Sequence, residues 1–271
     1  MKKPRSKGLV SIVMPAYNTG KYIAASINSV FAQSYTDWEL IIVDDCSTDN
    51  TREVISSFQD PRIKYFCNNS HSGAALSRNY ALREAKGKWV AFLDSDDLWV
   101  PEKLERQIKF MLKNNYAFTF TDYRVCWYGK WEDYIHTGPL VITKKILYEY
   151  GYFFTSTVIY ERKKIGLIQI QDLKRRNDYA MWFHVIEKHL CYRMPECLSF
   201  YIKHEGSVSS VSKWELTKWY YKMYRRELKK GRILAALCTI NNLAHGPVKK
   251  LYYREKVADY KGYNIDLNDE N

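Results

Sequence analysis

Residues Trp89-Val90-Ala91-Phe92-Leu93-Asp94-Ser95-Asp96-Asp97 form an apolar run that stops abruptly on carboxylates. A strand that delivers clustered Asp to its carboxyl end points to a bound divalent cation. Oxygen-only ligands suit hard ions, and this segment offers no His or Cys to recruit zinc, so Mg²⁺ or Mn²⁺ is the cation expected. Asp-x-Asp alone is a weak motif, and what precedes it carries the weight.

Three earlier apolar runs end in the same manner. Residues 9–14 lead into Pro15-Ala16-Tyr17-Asn18, residues 40–43 into Asp44-Asp45-Cys46-Ser47, and residues 63–67 into Asn68-Asn69-Ser70-His71-Ser72-Gly73. Between them, residues 21–32, 51–58 and 74–85 place apolar side chains near helical spacing. Short continuous apolar strands alternating with amphipathic helices predict an α/β fold, with a mainly parallel sheet covered by helices on both faces. Ligands of such sheets bind beyond the carboxyl ends of the strands. One crevice is therefore expected to gather Tyr17, Asp44, Asp45, Arg78, Asp94 and Asp96. Any one of these turns also fits ordinary βα chemistry, which favours Asn, Asp, Ser and Gly; the argument rests on the whole set.

No Gly-x-Gly-x-x-Gly follows the first run, and no Gly-x-x-x-x-Gly-Lys-Ser/Thr occurs anywhere. A diphosphate bound here would need a metal to neutralise it. A cation held by carboxylates can bridge two phosphate oxygens and stabilise charge on a departing diphosphate.

Four quoted segments resemble glycosyltransferase family 2 with its GT-A fold: Val10 to Asn18, Ile41-Ile42-Val43-Asp44-Asp45-Cys46-Ser47-Thr48-Asp49, Gly73 with Ser77-Arg78-Asn79, and Asp94-Ser95-Asp96-Asp97. The resemblance is dense from residue 9 to about 110 and looser to about 209. It implies inverting transfer of a sugar from a nucleotide diphosphate sugar, commonly a UDP-sugar, to an acceptor hydroxyl. It places Pro15, Ala16 and Tyr17 beside the nucleoside, has Asp44 accept a hydrogen bond from the base, and sets Arg78 near the base or the phosphates. Asp94 would face the ribose or sugar and Asp96 would ligate the metal, with Asp45 and Ser95 also on the donor side. Uracil offers one ring N–H to a carboxylate and carbonyl acceptors to an Arg. Cys46 stands where the family usually has Gly; a side chain there resists positive φ, so a differently shaped loop is expected.

In the second half, Asn177-Asp178 precedes Tyr179, Trp182, Phe183 and Ile186, whose spacing marks a helix with one apolar face turned inward. Asp178 thus stands at a helix start, where Asp is also a favoured N-cap. Family members usually show Glu-Asp, an aromatic residue and a Trp at this spacing. The resemblance makes Asp178 the base that takes the acceptor proton, and Asn177 in place of Glu leaves open any contact that Glu would make. Tyr201-Ile202-Lys203-His204 begins a stretch, running to Ser209, that resembles a late family segment near the diphosphate. His204 is a candidate for metal or phosphate, against the alternative of a solvated loop residue. Thr155-Ser156-Thr157 resembles a region bordering the acceptor, with Ser156 and Thr157 as candidates, or else a polar turn. Gln-x-x-Arg-Trp, which marks processive synthases, is absent, so single-sugar addition is expected. A glycoside hydrolase would need two carboxyls flanking the bond. The alternative enzyme is a metal-dependent nucleotidyl or phosphoryl transferase; the alternative without catalysis is a basic membrane-binding module.

The 271 residues can bury a substantial core. The expected organisation is a catalytic domain over 1–210, with a nucleotide-sugar half to about 115 and an acceptor half from about 116, followed by a helical appendage over 211–271. The six cysteines lack Cys-x-x-Cys spacing and no signal peptide or eighteen-residue apolar run is seen, which points to reduced thiols in a cytosolic compartment. Residues 213–261 carry thirteen Lys and Arg against four Asp and Glu, nine of the chain's net +12. Trp214, Trp219, Tyr220, Tyr221 and Tyr224 interleave with these charges, and Ile233, Leu234, Leu237, Ile240 and Leu243 form a helical apolar stripe. Such a segment fits an interfacial helix on an anionic membrane surface, or else packing against the catalytic domain. With an acidic crevice and no recognised nucleic-acid module, nucleic acid is not an expected partner. The expected setting is the inner face of a bacterial membrane, peripherally bound, with a lipid-linked acceptor of a surface polysaccharide pathway.

Overall fold

The computed structural model describes residues 7–204 and 212–262. In chain order the elements are β1 (Val10–Ala16), α1 (Ile23–Phe31), β2 (Trp38–Asp44), α2 (Thr51–Ser56), β3 (Ile63–Cys67), α3 (Ala74–Glu84), β4 (Trp89–Phe92), β5 (Leu98–Trp99), α4 (Lys103–Asn114), β6 (Phe118–Trp127), β7 (Lys130–His136), β8 (Val141–Ile142), α5 (Lys144–Glu149), β9 (Ile159–Glu161), α6 (Arg162–Ile165), α7 (Asn177–Ile186), β10 (Cys191–Lys203), α8 (Lys213–Arg226), α9 (Arg232–Tyr252) and β11 (Arg254–Lys256). A 3₁₀ turn at Thr155–Thr157 precedes β9.

The sheet runs β11-β7-β6-β9-β4-β1-β2-β3, with β10 on β6 and the short β5 and β8 on β10. Its first half is the parallel βαβ array that the sequence pattern predicts, β3-β2-β1-β4. Three helices, α1 to α3, supply the crossovers that parallel neighbours need. Beyond β4 the pairing changes: β9 is antiparallel to both β4 and β6, and β6 to β7, while β10 returns parallel to β6. β1, β2 and β4 are buried along their whole length because both faces of the sheet are covered there. Val10, Ile12 and Met14 pack with Ile23, Ile27 and Val30 of α1, whereas the alternate Val13, Ile41 and Val43 pack with Ala75 and Leu82 of α3. Each such fully buried aliphatic side chain contributes about 1.5–3 kcal/mol.

The loop after β2 departs from expectation. Cys46 adopts φ +64°, the left-handed conformation that a glycine would take freely, so the loop keeps that shape despite its side chain. A left-handed backbone costs an ordinary residue about 1–2 kcal/mol. It is held by Cys46 Sγ donating to the Asn68 carbonyl and by Ser47, whose N–H and hydroxyl both donate to Asp44 Oδ1.

The boundary expected near residue 210 and the segment 205–209 lie outside the described residues. Beyond them, α8 and α9 pack as a helical hairpin on the catalytic half. Tyr220, Met223, Tyr224 and Ala235 are buried in the same cluster as Tyr179 and Phe183 of α7. Tyr179 ties three elements together: its hydroxyl donates to the Leu147 carbonyl and accepts from Asn242 Nδ2 at 2.7 Å. β11 then joins the sheet edge beside β7. The apolar stripe divides. Ile233, Leu234, Leu237 and Ile240 are exposed, whereas Leu243 packs against the core.

The hairpin's inward and outward faces should respond differently to substitution. Tyr224→Ala, at a fully buried ring, should cost about 3–5 kcal/mol of unfolding free energy. Ile233→Ala, on the same hairpin but 80% exposed, should change it by less than about 0.5 kcal/mol. Urea denaturation of the two variants checks this; equal effects would show that the hairpin is not part of the core.

Candidate active site

All four parallel strands deliver their carboxyl ends to one edge of the sheet. At the end of β1, Pro15 and Ala16 are buried, and just beyond it Tyr17 projects into solvent, its ring 4.3 Å from that of His71. After β2 come two buried carboxylates with different duties. Asp45 accepts from the backbone N–H groups of Ser72 and Gly73 at 2.8 and 2.7 Å and from Asn68 Nδ2 at 2.7 Å, and it pairs with His71 at 2.9 Å. It therefore shapes the loop that enters α3. Asp44 turns Oδ1 to Ser47 and accepts from the Tyr65 hydroxyl on Oδ2 at 3.0 Å. Burial, with the Asp44 charge beside it, raises the Tyr65 phenol well above its ordinary value. Each carboxylate oxygen has two acceptor positions, so Asp44 keeps capacity for a further donor.

The acidic run after β4 is likewise divided. Asp97 is fully buried; it accepts from the Ser156 hydroxyl at 2.6 Å and from the Ile202 N–H at 3.2 Å. Burial, then the Asp96 and Asp94 charges, push its carboxyl well above the usual range. Asp97 is a strut joining β4's end to β10. Asp94 and Asp96 remain partly open, with side chains 31% and 22% exposed, while Ser95 is buried between them. Burial pushes the Asp94 carboxyl up to about 6, with Arg78 opposing and Asp96 and Asp178 reinforcing the push. Those three carboxylates thus share one field, although Asp178 is more than eighty residues distant in sequence.

Arg78 makes that meeting possible. It sits on α3 with its side chain 5% exposed; Nη2 donates to Asp94 Oδ1 at 3.0 Å and Nη1 to Asn177 Oδ1 at 2.6 Å. Nε meets no acceptor among the described residues. Asn177 also donates to the Leu173 carbonyl, so the residue that stands for the expected Glu retains a structural contact of its own. Asp178 follows within the first turn of α7. The N-cap position belongs to Arg176, in a left-handed conformation at φ +59°, so Asp178 is not the N-cap. Asp178 accepts from the Thr155 hydroxyl at 2.9 Å and from the Tyr179 N–H at 2.8 Å, and remains partly exposed.

Ser156 and Thr157, expected to border the acceptor, are fully buried. Ser156 Oγ accepts from the Asp94 N–H and donates to Asp97, and Thr157 Oγ1 donates to the Phe154 carbonyl. They support the site from beneath, and their neighbour Thr155 is the member of the triplet that reaches Asp178. A 3₁₀ turn over these residues explains the difference, since it turns consecutive side chains in different directions.

His204 approaches Asp96, Nε2 to Oδ2 at 3.0 Å, and stacks on Tyr22 with ring centroids 4.0 Å apart. Tyr22, from the turn before α1, had no motif to announce it. With Tyr128, Gly129, Ile202 and Lys203 these two rings line a cleft of about 320 Å³. Among the described residues no three His, Cys, Asp or Glu side chains converge as a closed metal cage. A partly open carboxylate, Asp96, suits an ion whose other positions are filled by substrate and water, as for Mg²⁺ at phosphates, and the adjacent imidazole could add a nitrogen ligand.

Comparison with known proteins places this geometry. The family described as Glycosyl transferase family 2 matches residues 11–169. The chain is 38% identical over 249 residues to TuaG of Bacillus subtilis, a glycosyltransferase assigned to teichuronic acid biosynthesis, covering 90% of this chain and 98% of the other. It is 39% identical over 183 residues to the Escherichia coli UDP-Glc:alpha-D-GlcNAc-diphosphoundecaprenol beta-1,3-glucosyltransferase WfgD, covering 66% and 70%. The crystal structure of S. aureus TarS 1-349 in complex with UDP-GlcNAc superposes with TM-score 0.68 at 20% identity, over 90% of this chain and 74% of that one. A match that takes in every strand-end motif of the crevice, and an identity that runs almost the full length of both chains, make this protein a member of glycosyltransferase family 2 with the GT-A fold.

Proposed function

We propose that the enzyme transfers a single sugar, with inversion, from a UDP-sugar to a hydroxyl of a lipid-linked saccharide during surface polysaccharide synthesis. The observation that carries this reading is the Asp94–Arg78–Asn177 bridge, which holds the strand-end carboxylates and Asp178 in one electrostatic field. A nucleotide site and a base are thereby set against a common space. UDP is favoured because Asp44 can accept from a uracil ring N–H and because TarS, of the same fold, is described with UDP-GlcNAc. The lipid-linked acceptor is suggested by the name of WfgD.

In this reading Tyr17 lies along the base, with Pro15 and Ala16 forming the floor behind it. Asp45 keeps the Ser72–Gly73 loop in place, and Ser95 spaces Asp94 from Asp96. Arg78 orients Asp94 toward the ribose or sugar. Asp178, aligned by Thr155, accepts the proton of the acceptor hydroxyl as that oxygen attacks the anomeric carbon opposite the departing UDP. One protein carboxylate suffices for such a single displacement, and it inverts the centre. Asp96 and His204 would hold Mn²⁺ or Mg²⁺, which when bound supplies positive charge to the leaving diphosphate. Residues 1–115 serve the donor and 116–210 the acceptor.

The C-terminal hairpin would attach the enzyme to anionic lipid. Trp214, Ile233, Leu237 and Ile240 are exposed, and Lys218 and Lys222 lie against the rings of Trp214 and Trp219. Among the described residues no helix is long and apolar enough to cross a membrane. Attachment through a basic, apolar surface needs none.

Asp96→Ala should abolish the Mn²⁺-dependent part of UDP binding and nearly all transfer, because the site lacks a P-loop that could hold the diphosphate unaided. Calorimetry with UDP, with and without Mn²⁺, reads this directly. Binding that needs no metal and survives the substitution would remove Asp96 from the role.

Asp178→Asn keeps the shape but not the basicity, so turnover should fall by roughly 10²- to 10⁴-fold while UDP affinity stays unchanged. Release of UDP from a panel of UDP-sugars, in the presence of glycan acceptors, measures it. Normal turnover per folded molecule would show that the proton leaves by another route.

Vesicle sedimentation tests the attachment. Binding should require anionic lipid and weaken as salt rises, since each Lys or Arg near the leaflet contributes about 1 kcal/mol over a screened range. Ile233→Ser combined with Ile240→Ser should release the protein without changing UDP binding; retention of both would move the contact elsewhere.

A further inference from the structure

Resting on the transfer reading above, we propose that a cationic, aromatic chamber beside Asp178, walled jointly by the acceptor half and the C-terminal hairpin, binds the phosphate groups of the acceptor. The residues assigned to its walls follow one another in contact. Asp178 is held by Thr155, and the preceding Phe154 packs on Tyr123 with centroids 5.4 Å apart. Lys249 of α9 lies 5.6 Å from the Tyr123 ring and 5.3 Å from the Tyr150 ring, and its Nζ donates to the Tyr123 hydroxyl at 3.4 Å. Tyr150 in turn feels the charges of Arg176 and Arg254, which offset part of the rise that burial imposes on its phenol. The Arg176 guanidinium sits 4.7 Å over the ring of Tyr220 on α8, and that ring meets the ring of Tyr179, the residue after Asp178, with centroids 5.9 Å apart.

Charge makes this chamber a receptor for anions. Lys249 is 8% exposed and, among the described residues, meets no carboxylate; its polar contacts are the Tyr123 hydroxyl and the Tyr152 carbonyl. A buried ammonium held only by neutral groups is costly, and an anion drawn to the chamber would relieve it. Burial, with Arg254 adding to it, lowers the Lys249 ammonium to about 7. Arg176 is partly exposed and also meets no carboxylate among the described residues, leaving its planar donors for a bidentate contact. Arg176 would touch phosphate oxygens directly, and Lys249 would add charge from beneath Tyr123 and Tyr150. The aromatic faces would receive the saccharide. Because Arg176 stands two residues before Asp178, an acceptor anchored by its phosphates would be presented at a fixed distance from the base.

Titration of the full-length protein with hexyl diphosphate, in a chelating buffer that disables the metal-dependent donor site, tests the assignment. The wild-type protein should bind hexyl diphosphate and not uncharged hexyl glucoside. Arg176→Gln should weaken binding by about tenfold or more, Arg176→Lys should restore part of it, and Lys249→Gln should weaken it at an unchanged melting temperature. Asp96→Ala should retain it. UDP binding with Mn²⁺ should be intact in Arg176→Gln. Absence of binding by the wild-type protein, binding indifferent to Arg176, or loss in parallel with Asp96→Ala would overturn the proposal, the last by showing that the diphosphate occupies the donor site. Failure of the wild-type protein to bind UDP, with hexyl diphosphate still bound, would instead overturn the donor reading and leave the chamber standing.

Discussion

The Arg78 guanidinium is the constraint on which the site depends. It is almost wholly buried and joins a carboxylate at the end of β4 to the amide that opens α7. A buried charge of this kind is tolerated only when it is paired, and removal of one partner from such an arrangement commonly costs about 3–5 kcal/mol. The positions of Asp94 and Asp178 are thus coupled. Movement of α7 would leave Arg78 without one acceptor, so Asp178 cannot drift from the strand ends without an electrostatic penalty. Because Nη1 and Nη2 point along fixed directions in a planar group, the bridge sets orientation as well as distance.

Around that bridge the carboxylates sort by what they touch. Asp45 and Asp97 are buried and engaged by backbone N–H, amide and hydroxyl donors, and they build the loops. Asp94, Asp96 and Asp178 keep open faces. Burial, reinforced by the neighbouring Asp96 and Asp178 charges and opposed by Arg78, raises Asp94 to about 6, so part of the rise is repulsion among like charges. Any cation arriving at Asp96 lowers that repulsion, and the same cation is complementary to a diphosphate.

Much of this was legible in the chain. Helices expected over 21–32, 51–58 and 74–85 appear as α1, α2 and α3, each within two residues of the expected ends, because continuous apolar strands and helical spacing are local signals. The family itself was legible for the same reason, since its motifs are short and lie in order. Side-chain direction within a motif was not. Thr155, Ser156 and Thr157 read as equivalent hydroxyls, and only the 3₁₀ turn assigns one to Asp178 and one to Asp97. Asp45 and Asp44 are adjacent in sequence, yet hydrogen bonds from Ser72 and Gly73 separate their roles, and those partners lie 27 and 28 residues away. The left-handed Cys46 shows the converse: tertiary contacts override a local preference of about 1–2 kcal/mol. Antiparallel pairing beyond β4 also rests on long-range register, which no local pattern encodes.

The hairpin carries the deepest ambiguity because α9 reverses the usual amphipathic rule. Ala235, Thr239, Asn242 and Lys249 fall on one helical face and are buried, whereas Ile233, Leu237 and Ile240 fall on the other and are exposed. A helix read by hydropathy alone would be turned the opposite way. Most of the inward polar groups have a partner: Thr239 Oγ1 donates to the Ala235 carbonyl, Asn242 Nδ2 to the Tyr179 hydroxyl, and Lys249 Nζ to the Tyr152 carbonyl, while Asn242 Oδ1 meets no donor among the described residues. The outward aliphatic groups gain nothing from the fold itself. Packing of aromatic residues from α8 against α7 fixes the hairpin's rotation, and that rotation leaves the large aliphatic side chains facing outward. A single helix thus buries Lys249 against Tyr123, Tyr150 and Tyr152 and turns its large aliphatic side chains outward.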